Sequence, residues 1–186
     1  MEYGQLEQRL RSPGADRSRM EQVRVQTLAR VREMFNAVVA DATVIKCPRD
    51  WQDFNNTCYR FSTESGGWHN ANRSCVLNNA TLAILSSLGQ QEYVMNYDRE
   101  KRWIGLTDLE ELGVYRWVNG DRLVTGYWAL GEPNNAGVER CVTKGARFHP
   151  NKWNNDVCTT QHRWICQITR FDYAARHFGL EALLNQ

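Results

Sequence analysis

The sequence lacks the features that mark several large classes of protein. No apolar run approaches the length needed to span a bilayer, and the first residues lack the apolar core of a signal peptide. The formal net charge is only +2 and charged residues make up 24% of the chain. No strong overall field therefore favours nucleic acid or a membrane surface. We expect neither a nucleic-acid-binding protein nor a membrane span within these 186 residues.

The motifs of the common enzyme classes are also absent. The sequence contains no G-x-S-x-G motif, no phosphate-binding P-loop and no dinucleotide fingerprint. Its four histidines show no H-E-x-x-H spacing, and no two cysteines form a C-x-x-C pair. A zinc site and a thioredoxin-like redox site are therefore excluded on spacing. We do not expect the chain to be an enzyme.

The sequence does contain an even number of well-separated cysteines, six in all. Cysteines that fit no metal or redox spacing are typical of a disulfide framework formed in an oxidising compartment. Their spacing alone leaves the pairing open. They are Cys47, Cys58, Cys75, Cys141, Cys158 and Cys166.

Three N-x-S/T sequons, at Asn55, Asn72 and Asn79, point to the same compartment. A sequon has a meaning only in the secretory pathway, where its asparagine can be glycosylated. Together with the cysteines, they indicate an extracellular glycoprotein. We expect it to be secreted, or to be the ectodomain of a type II membrane receptor whose signal or anchor lies outside this sequence.

The first 46 residues divide into two segments. Residues 1–19 are polar and arginine-rich, and Pro13-Gly14 interrupts any regular element, so we predict a disordered segment. In residues 20–46, apolar residues recur at alternating intervals of three and four. This stripe predicts either a helix packed on its own domain or, as we favour, a helical neck that joins several chains into a homo-oligomer. The stripe consists of Leu28, Val31, Phe35, Val38, Ala42 and Ile45.

Residues 47–168 are dense in aromatic residues, turns and short apolar runs, which together predict one α+β domain. Periodicity predicts strands at 59–61, 103–106, 115–118, 141–143 and 164–166, and helices at 68–77 and 90–98. A long stretch without regular pattern, 119–140, lies inside the domain. Loops of that length are uncommon in compact domains unless they serve a function. The tail, 169–186, is predicted to be either a short helix or a flexible end.

Short oxygen ligands are concentrated in two segments. Glu132-Pro133-Asn134-Asn135 and Glu139 precede Cys141, and Trp153-Asn154-Asn155-Asp156 precedes Cys158. If those two cysteines are bonded, the disulfide draws both segments into one cup. Hard cations such as calcium bind carboxylate and amide oxygens in a tolerant geometry. The sequence therefore predicts a calcium site, against the alternative of a relic loop in a domain that binds protein.

The same residues occur in the order of a known family, and roughly residues 46–168 resemble the C-type lectin-like domain of the long form. The 153–166 run looks most like the asialoglycoprotein-receptor and macrophage-lectin branch. The resemblance implies two helices flanking small antiparallel sheets, with a long calcium-binding loop. It also implies the disulfides Cys47–Cys58, Cys75–Cys166 and Cys141–Cys158. The matching pieces are Cys47-Pro48 with Trp51, Cys58-Tyr59, 68–75, 103–106, 128–135, Cys141, 153–158 and 164–166.

The resemblance further implies a site in which one calcium ion is shared with two vicinal sugar hydroxyls. The residues carried over as metal and sugar ligands are Glu132, Asn134, Glu139, Asn154 and Asn155. The order Glu-Pro-Asn resembles the mannose-type motif, and Pro133 is expected to follow a cis bond. The implied function is a calcium-dependent lectin for mannose, fucose or N-acetylglucosamine glycans. The alternative is a calcium-independent receptor for a protein or a lipid.

Three positions depart from the family pattern. Asn155 stands where the family has an aspartate, which leaves two carboxylates instead of three and should weaken calcium binding. Asp156 cannot simply replace it, because adjacent strand residues point to opposite faces. Arg140 and Leu112 stand at acidic positions of an auxiliary calcium site, although Asp108 and Asn135 persist. We expect the auxiliary site to be absent or to be replaced by Arg140 as a fixed cation.

Four basic residues lie between the two ligand segments. We favour the interpretation that they form a solvated loop whose charges face different ways. The alternative is a secondary contact for sulfated or sialylated glycans, which would be weak and sensitive to salt. The four are Arg140, Lys144, Arg147 and Lys152.

Overall fold

The structure is a computed structural model that describes residues 13–40, 46–145, 149 and 151–177. Its contacts divide the chain into two compact units. The larger unit spans Cys47–Arg170, close to the predicted 47–168 domain, and the smaller unit comprises the residues up to Lys46 and from Phe171 onward.

The smaller unit contains a long helix, α1 (Pro13–Ala40), and most of a short C-terminal helix, α4 (Arg170–His177). α1 begins at Pro13, which differs from the disorder expected for residues 13–19. Proline is favoured in the first helical turn, where the N–H that it lacks would have no partner, so Pro13 starts the helix instead of interrupting it. Within this unit, the guanidinium of Arg32 lies 3.8 Å from Asp172 and 5.2 Å from the centroid of the Phe171 ring.

The predicted apolar stripe is described only at Leu28, which is half-buried. Ala42, Ile45 and the side chains of the other three stripe residues lie outside the described part, so association through a neck stays a prediction. None of the helices in the described ranges is long and apolar enough to cross a membrane.

The larger unit is built on an eight-stranded sheet with the order β1-β2-β8-β4-β6-β7, in which β3 also pairs with β8 and β5 with β4. Its strands are β1 (Gln52–Phe54), β2 (Thr57–Phe61), β3 (Thr81–Leu82), β4 (Arg102–Thr107), β5 (Arg116–Trp117), β6 (Cys141–Lys144), β7 (Trp153–Asp156) and β8 (Arg163–Thr169). β4 and β8 are parallel, whereas the other pairs are antiparallel. The predicted strands are confirmed, but β1, β3 and β7 were not predicted, because strands of two to four residues carry no clear period.

Two helices, α2 (Trp68–Leu77) and α3 (Leu88–Tyr97), accompany the sheet, as predicted. α2 buries Trp68, Ala71 and Cys75, whose spacing places them on one helical face. α3 begins with a capping box between Ser87 and Gln90, two residues before the predicted start at residue 90. Loss of such a cap typically costs about 1 kcal/mol.

The three disulfides pair as the resemblance implied: Cys47–Cys58, Cys75–Cys166 and Cys141–Cys158. Cys75–Cys166 joins α2 to β8 across 91 residues. In the chain-entropy account, a bridge closing so long a loop stabilises a domain by about 4 kcal/mol or more. Cys141–Cys158 ties the start of β6 to the residues that follow β7, which brings the two ligand segments together.

Trp153 fixes both β7 and the long stretch without regular structure. Its ring makes edge contacts with Trp117, Tyr127 and Trp128 at centroid distances of 5.3–5.8 Å, and its Nε1 donates to Gln91 Oε1 at 2.7 Å. Residues 119–140, all of them described, contain no helix and only isolated bridges in place of strands, as predicted. This stretch is nevertheless held firmly, because the Trp153 N–H donates to the Tyr127 carbonyl and the Trp153 carbonyl accepts from Ala129 N–H.

Candidate functional site

The first ligand segment is a tight turn that begins just after Ala129. The Glu132 N–H donates to the Ala129 carbonyl at 3.0 Å. The Glu132–Pro133 peptide bond is cis, as the sequence led us to expect. Asn135 follows with a positive φ of 46°, a conformation that asparagine tolerates better than most residues. The turn therefore brings several polar side chains close together.

Each carboxylate of this segment accepts a hydrogen bond from a neighbouring amide. Asn134 Nδ2 donates to Glu132 Oε1 at 2.9 Å, and Asn135 Nδ2 donates to Glu139 Oε1 at 3.1 Å. The Glu139 N–H also donates to the Asn135 carbonyl at 3.2 Å. Both carboxylates are thus oriented by the turn that contains them.

The other carboxylate oxygen of Glu132 has no such support. Oε2 is buried and has no hydrogen-bond partner among the described residues. Burial raises the pKa of Glu132; a backbone hydrogen bond at Asn134 opposes this effect, and the nearby charge of Glu139 adds to it. A buried, unpartnered carboxylate oxygen beside a second carboxylate is an environment that a cation would stabilise.

Asn155 joins the second ligand segment to the first. Its side chain is 1% exposed, on the same face of β7 as Trp153. Oδ1 accepts from Asn134 N–H at 3.0 Å, while Nδ2 donates to the carbonyls of Asn134 at 2.6 Å and Glu139 at 2.7 Å. One buried amide therefore holds both ends of the turn that contains the carboxylates.

The neighbours of Asn155 on β7 are less buried than Asn155 itself. Asn154 is half-buried, and its Nδ2 donates to the Asn155 carbonyl. Asp156 Oδ2 lies 2.8 Å from His162 Nε2 and 3.6 Å from Lys101 Nζ. Burial acts to raise the pKa of Asp156, but hydrogen bonds from His162 and the Val157 N–H bring it down to about 2. Asp156 is therefore an ionised group with its own partners.

Arg140 makes the contacts of a fixed cation beside the site. Its Nε donates to Asp108 Oδ1 at 3.1 Å, and its Nη2 donates to the Asp108 carbonyl. The side chain of Asp108 is only 3% exposed, so the guanidinium neutralises a buried charge. The Arg140 carbonyl in turn accepts from Thr107 Oγ1 at 2.8 Å. This geometry agrees with the expectation that Arg140 replaces an auxiliary cation, while Leu112 is exposed.

The glycan-contact hypothesis for the basic residues is wrong for two of the four. Lys144 is fully buried, and its Nζ donates to Asp98 Oδ1 at 2.5 Å, so the favoured interpretation of a solvated loop is also wrong for this residue. The Arg140 guanidinium is already paired with the Asp108 carboxylate. Lys152 is exposed, and Arg147 lies outside the described residues. The burial of Lys144 could not be predicted, because β6 is buried at all four of its positions and its sequence therefore does not alternate between apolar and polar residues.

The sequence did not identify Tyr115 as a neighbour of the site. Burial raises its pKa to about 12, and the charges of Asp108 and Glu132 add to this effect. Its side chain is also hydrogen-bonded to that of Asn155, so Tyr115 contacts the same part of the site. No local sequence signal could have shown this, since these contacts are made across the fold.

The candidate set depends on amide oxygens as much as on carboxylates. Among the described residues, no three His, Cys, Asp or Glu side chains form a group that could hold a metal ion. The fold nevertheless brings Glu132, Asn134, Glu139 and Asn155 together, with Asn154 next to them in β7. Such a mixed set is suited to a hard cation and not to zinc or copper.

Comparison with known proteins places this unit among lectin domains. The family model described as the lectin C-type domain matches residues 62–168. The C-type lectin domain family 4 member M of Gorilla gorilla gorilla is 36% identical over 127 residues, which cover 65% of this chain and 33% of that protein. The match thus spans about a third of the length of that relative.

Solved structures agree on the fold. The carbohydrate-recognition domain of the mouse scavenger receptor C-type lectin superposes with a TM-score of 0.63 at 29% identity, covering 67% of this chain and 97% of that one. The cow CD23 domain, solved in the presence of a GlcNAc2Man3 oligosaccharide, superposes with a TM-score of 0.62 at 30% identity, covering 67% and 97%. The C-type lectin-like α+β fold is confirmed, and the family model that matches the chain describes a lectin domain and not an enzyme. Because the family model covers more than half of the sequence and the unit that contains the candidate site, the chain belongs to the C-type lectin domain family.

Proposed function

We propose that the chain is a calcium-dependent lectin that binds glycans of the mannose, fucose or N-acetylglucosamine type through a single calcium site. The observation that carries the proposal is the buried Oε2 of Glu132, which lacks a partner among the described residues and lies near the charge of Glu139. Carboxylate and amide oxygens are the ligands that a hard cation such as calcium prefers. The ion would be held by Glu132, Asn134, Glu139, Asn154 and Asn155.

Calcium, when bound, would offer coordination positions to two neighbouring sugar hydroxyls. The side chains would supply hydrogen bonds to the same two hydroxyls. Glu132 and Glu139 can accept O–H hydrogens, and the amide groups of Asn134 and Asn154 can donate to the same oxygens. Recognition by paired donors and acceptors depends on hydroxyl geometry, because a misplaced hydroxyl leaves a polar group unpaired.

The sugar class is supported by the motif and by one relative. The Glu-Pro-Asn order of residues 132–134 resembles the mannose type, and the cow CD23 structure was solved with a mannose-containing oligosaccharide. We therefore expect mannose and fucose to compete for this site better than galactose.

The compartment is supported by the covalent chemistry. Three disulfides suit an oxidising environment, and the sequon residues Asn55 and Asn79 are exposed, with Asn72 half-buried on α2. An extracellular glycoprotein, secreted or anchored as part of a receptor, is the setting that fits. Clustering of several domains through the neck would raise avidity for repeated glycans.

The alternative function is a calcium-independent receptor for a protein or a lipid. One observation favours it. The Asn155 amide already pairs with the carbonyls of Asn134 and Glu139, and the Arg140 guanidinium already pairs with the Asp108 carboxylate, so these oxygens do not need a metal ion. The fold itself is compatible with either function.

A glycan array probed with calcium and with chelator tests the proposal. Chelator should abolish binding to mannose and fucose glycans. Glu132→Gln should abolish it with calcium present, whereas Glu64→Gln, the same change at an exposed glutamate, should not. Glycan binding that survives chelator would reject the calcium-dependent function.

A further inference from the structure

We infer that Asn155 is a positioning residue that keeps the ligand loop, residues 130–140, in its binding shape without a metal ion. The inference deepens the function proposed above and rests on it only for the effect of calcium. Its metal-free part depends on the geometry around Asn155 alone.

The hydrogen-bonding capacity of Asn155 matches the loop closely. A side-chain amide has two N–H donors and an oxygen with two lone pairs. Both donors are used by loop carbonyls, those of Asn134 and Glu139, and the oxygen accepts from Asn134 N–H.

A carboxylate at position 155 could not form the same hydrogen bonds. Aspartate can accept from Asn134 N–H but cannot donate, so the carbonyl oxygens of Asn134 and Glu139 would face a charged oxygen instead of N–H hydrogens. Oxygen atoms held at the 2.6–2.7 Å separations seen here repel one another unless a cation lies beside them. An aspartate would therefore make the loop depend on the ion, whereas asparagine closes it directly.

The position of Asn155 is itself rigid. β7 pairs with β6 through Val142 and Asn155, and Trp153 on the same face is fully buried in the aromatic cluster. The amide is 1% exposed, so water competes little for its hydrogen bonds. The loop is thus fastened to a buried and paired part of the sheet.

The far end of the loop has a second internal fastening. Arg140 supplies a cation to buried Asp108, and the adjacent Cys141 is bonded to Cys158. The charge and the donors that hold the loop are therefore all supplied by the protein. Removal of calcium should leave the loop in place.

Hydrogen exchange measured by mass spectrometry on the whole chain tests the inference, with EDTA or with calcium chloride. The readout is the exchange rate of the 130–140 peptide divided by that of the core strands β2 and β8, which corrects for any global change in stability. Asn155→Asp keeps the size and the acceptor but removes both donors, and Asn155→Leu removes all three hydrogen bonds. Asn70→Asp, at an exposed helix position, is the control for added charge.

In EDTA, the parent and the Asn70→Asp protein should show a protected loop, and both Asn155 variants should exchange at least about tenfold faster in the loop than in the parent. Calcium should restore protection to Asn155→Asp but not to Asn155→Leu. An unprotected parent loop in EDTA, or an unchanged ratio in Asn155→Asp, would overturn the inference. If calcium fails to restore Asn155→Asp while the EDTA results hold, the positioning role stands and the calcium site is rejected.

Discussion

Glu132 combines two properties that conflict in the absence of a ligand. One oxygen of its carboxylate is paired with Asn134, while the other is buried with no partner among the described residues. Burial disfavours the charged form, which is why the pKa of Glu132 is raised. Proteins retain such groups mainly where a ligand compensates the charge. Glu132 is therefore the residue at which loss of a single charge should separate binding from folding.

Glu132→Gln should weaken calcium binding at least about tenfold, because a negatively charged ligand is replaced by a neutral one. The metal-free domain should be as stable as the parent at pH 7 or more stable, since the variant removes a buried charge that has little compensation. Calorimetric titration with calcium and thermal unfolding in EDTA measure the two effects. A variant that loses calcium binding only because it unfolds would contradict the assigned role, and Glu64→Gln serves as the control.

The sugar preference should depend on the order of acid and amide at positions 132 and 134. Exchanging them for the galactose-type pair, Glu132→Gln with Asn134→Asp, preserves the number of carboxylates and reverses the placement of donor and acceptor. Calcium binding should persist, while competition should shift from mannose toward galactose. Competition by monosaccharides for a labelled mannose glycan measures the shift. A parent that prefers galactose would contradict the proposed specificity at the outset.

At the scale of elements, an ion network joins the end of α3 to two strands of the sheet. Asp98 follows α3, and its carboxylate contacts Arg102 of β4 at 2.7 Å and Lys144 of β6 at 2.5 Å. Burial acts to raise the pKa of Asp98, but the hydrogen bonds from Arg102 and Lys144 hold it below its usual value. Lys144 is fully buried, so its charge depends on this partner.

Asp98→Asn should lower the free energy of unfolding at pH 7 by about 3 kcal/mol, because it leaves the buried Lys144 charge without its counter-ion; this is the lower end of the range for a broken buried pair, since the Asp98 side chain is 22% exposed. The pKa of Asp98 is lowered in the folded state, so its stabilisation is complete above the unfolded value of about 3.9 and is lost as the pH falls through the folded value. Denaturant unfolding at several pH values should show the difference from the parent shrinking below about pH 4. A difference that does not change with pH would exclude this carboxylate as its source; Asp121→Asn, at an exposed site, is the control.

The elements with local signals could be predicted from the sequence. The spacing of Trp68, Ala71 and Cys75 determines the buried face of α2, and Ser87 with Gln90 marks the start of α3. The environment of Lys144 could not be predicted, because its partner Asp98 lies 46 residues away and β6 shows no alternation. Contacts between distant residues leave no periodicity to read.

The same distinction applies to the site. The two segments and their residue types were visible, because carboxylates, amides and cysteines stand close together in the sequence. The bridging by Asn155 was not visible, since a side chain that donates to backbone carbonyls imposes no pattern on the residues it contacts. The resemblance to the family implies only that a charge is missing at position 155, whereas the geometry shows which hydrogen bonds the amide provides instead.

At the scale of the whole molecule, the neck hypothesis concerns assembly and not the individual site. Charges in an apolar seam cannot be buried without partners. Val31→Glu with Val38→Glu should therefore leave a folded monomer, while the parent forms dimers or trimers. Light scattering at micromolar concentration measures the mass, and Val23→Glu with Val25→Glu changes two exposed valines outside the stripe as the control. A monomeric parent would count against the neck.

Assembly should matter for binding only where several glycans are presented together. A single shallow sugar site is weak, and linking several sites converts later binding events into intramolecular ones, which can raise avidity by about 10²-fold or more without a new contact. The Val31→Glu, Val38→Glu protein should therefore bind free mannose and calcium as the parent does, because its lectin unit, Cys47–Arg170, is unchanged. Its retention on a surface densely coated with mannose glycans should fall by at least about tenfold. Surface plasmon resonance at high and low glycan density measures both quantities. If the loss were equal at both densities, the substitutions would have damaged the site itself, and the separation between neck and lectin unit would be wrong.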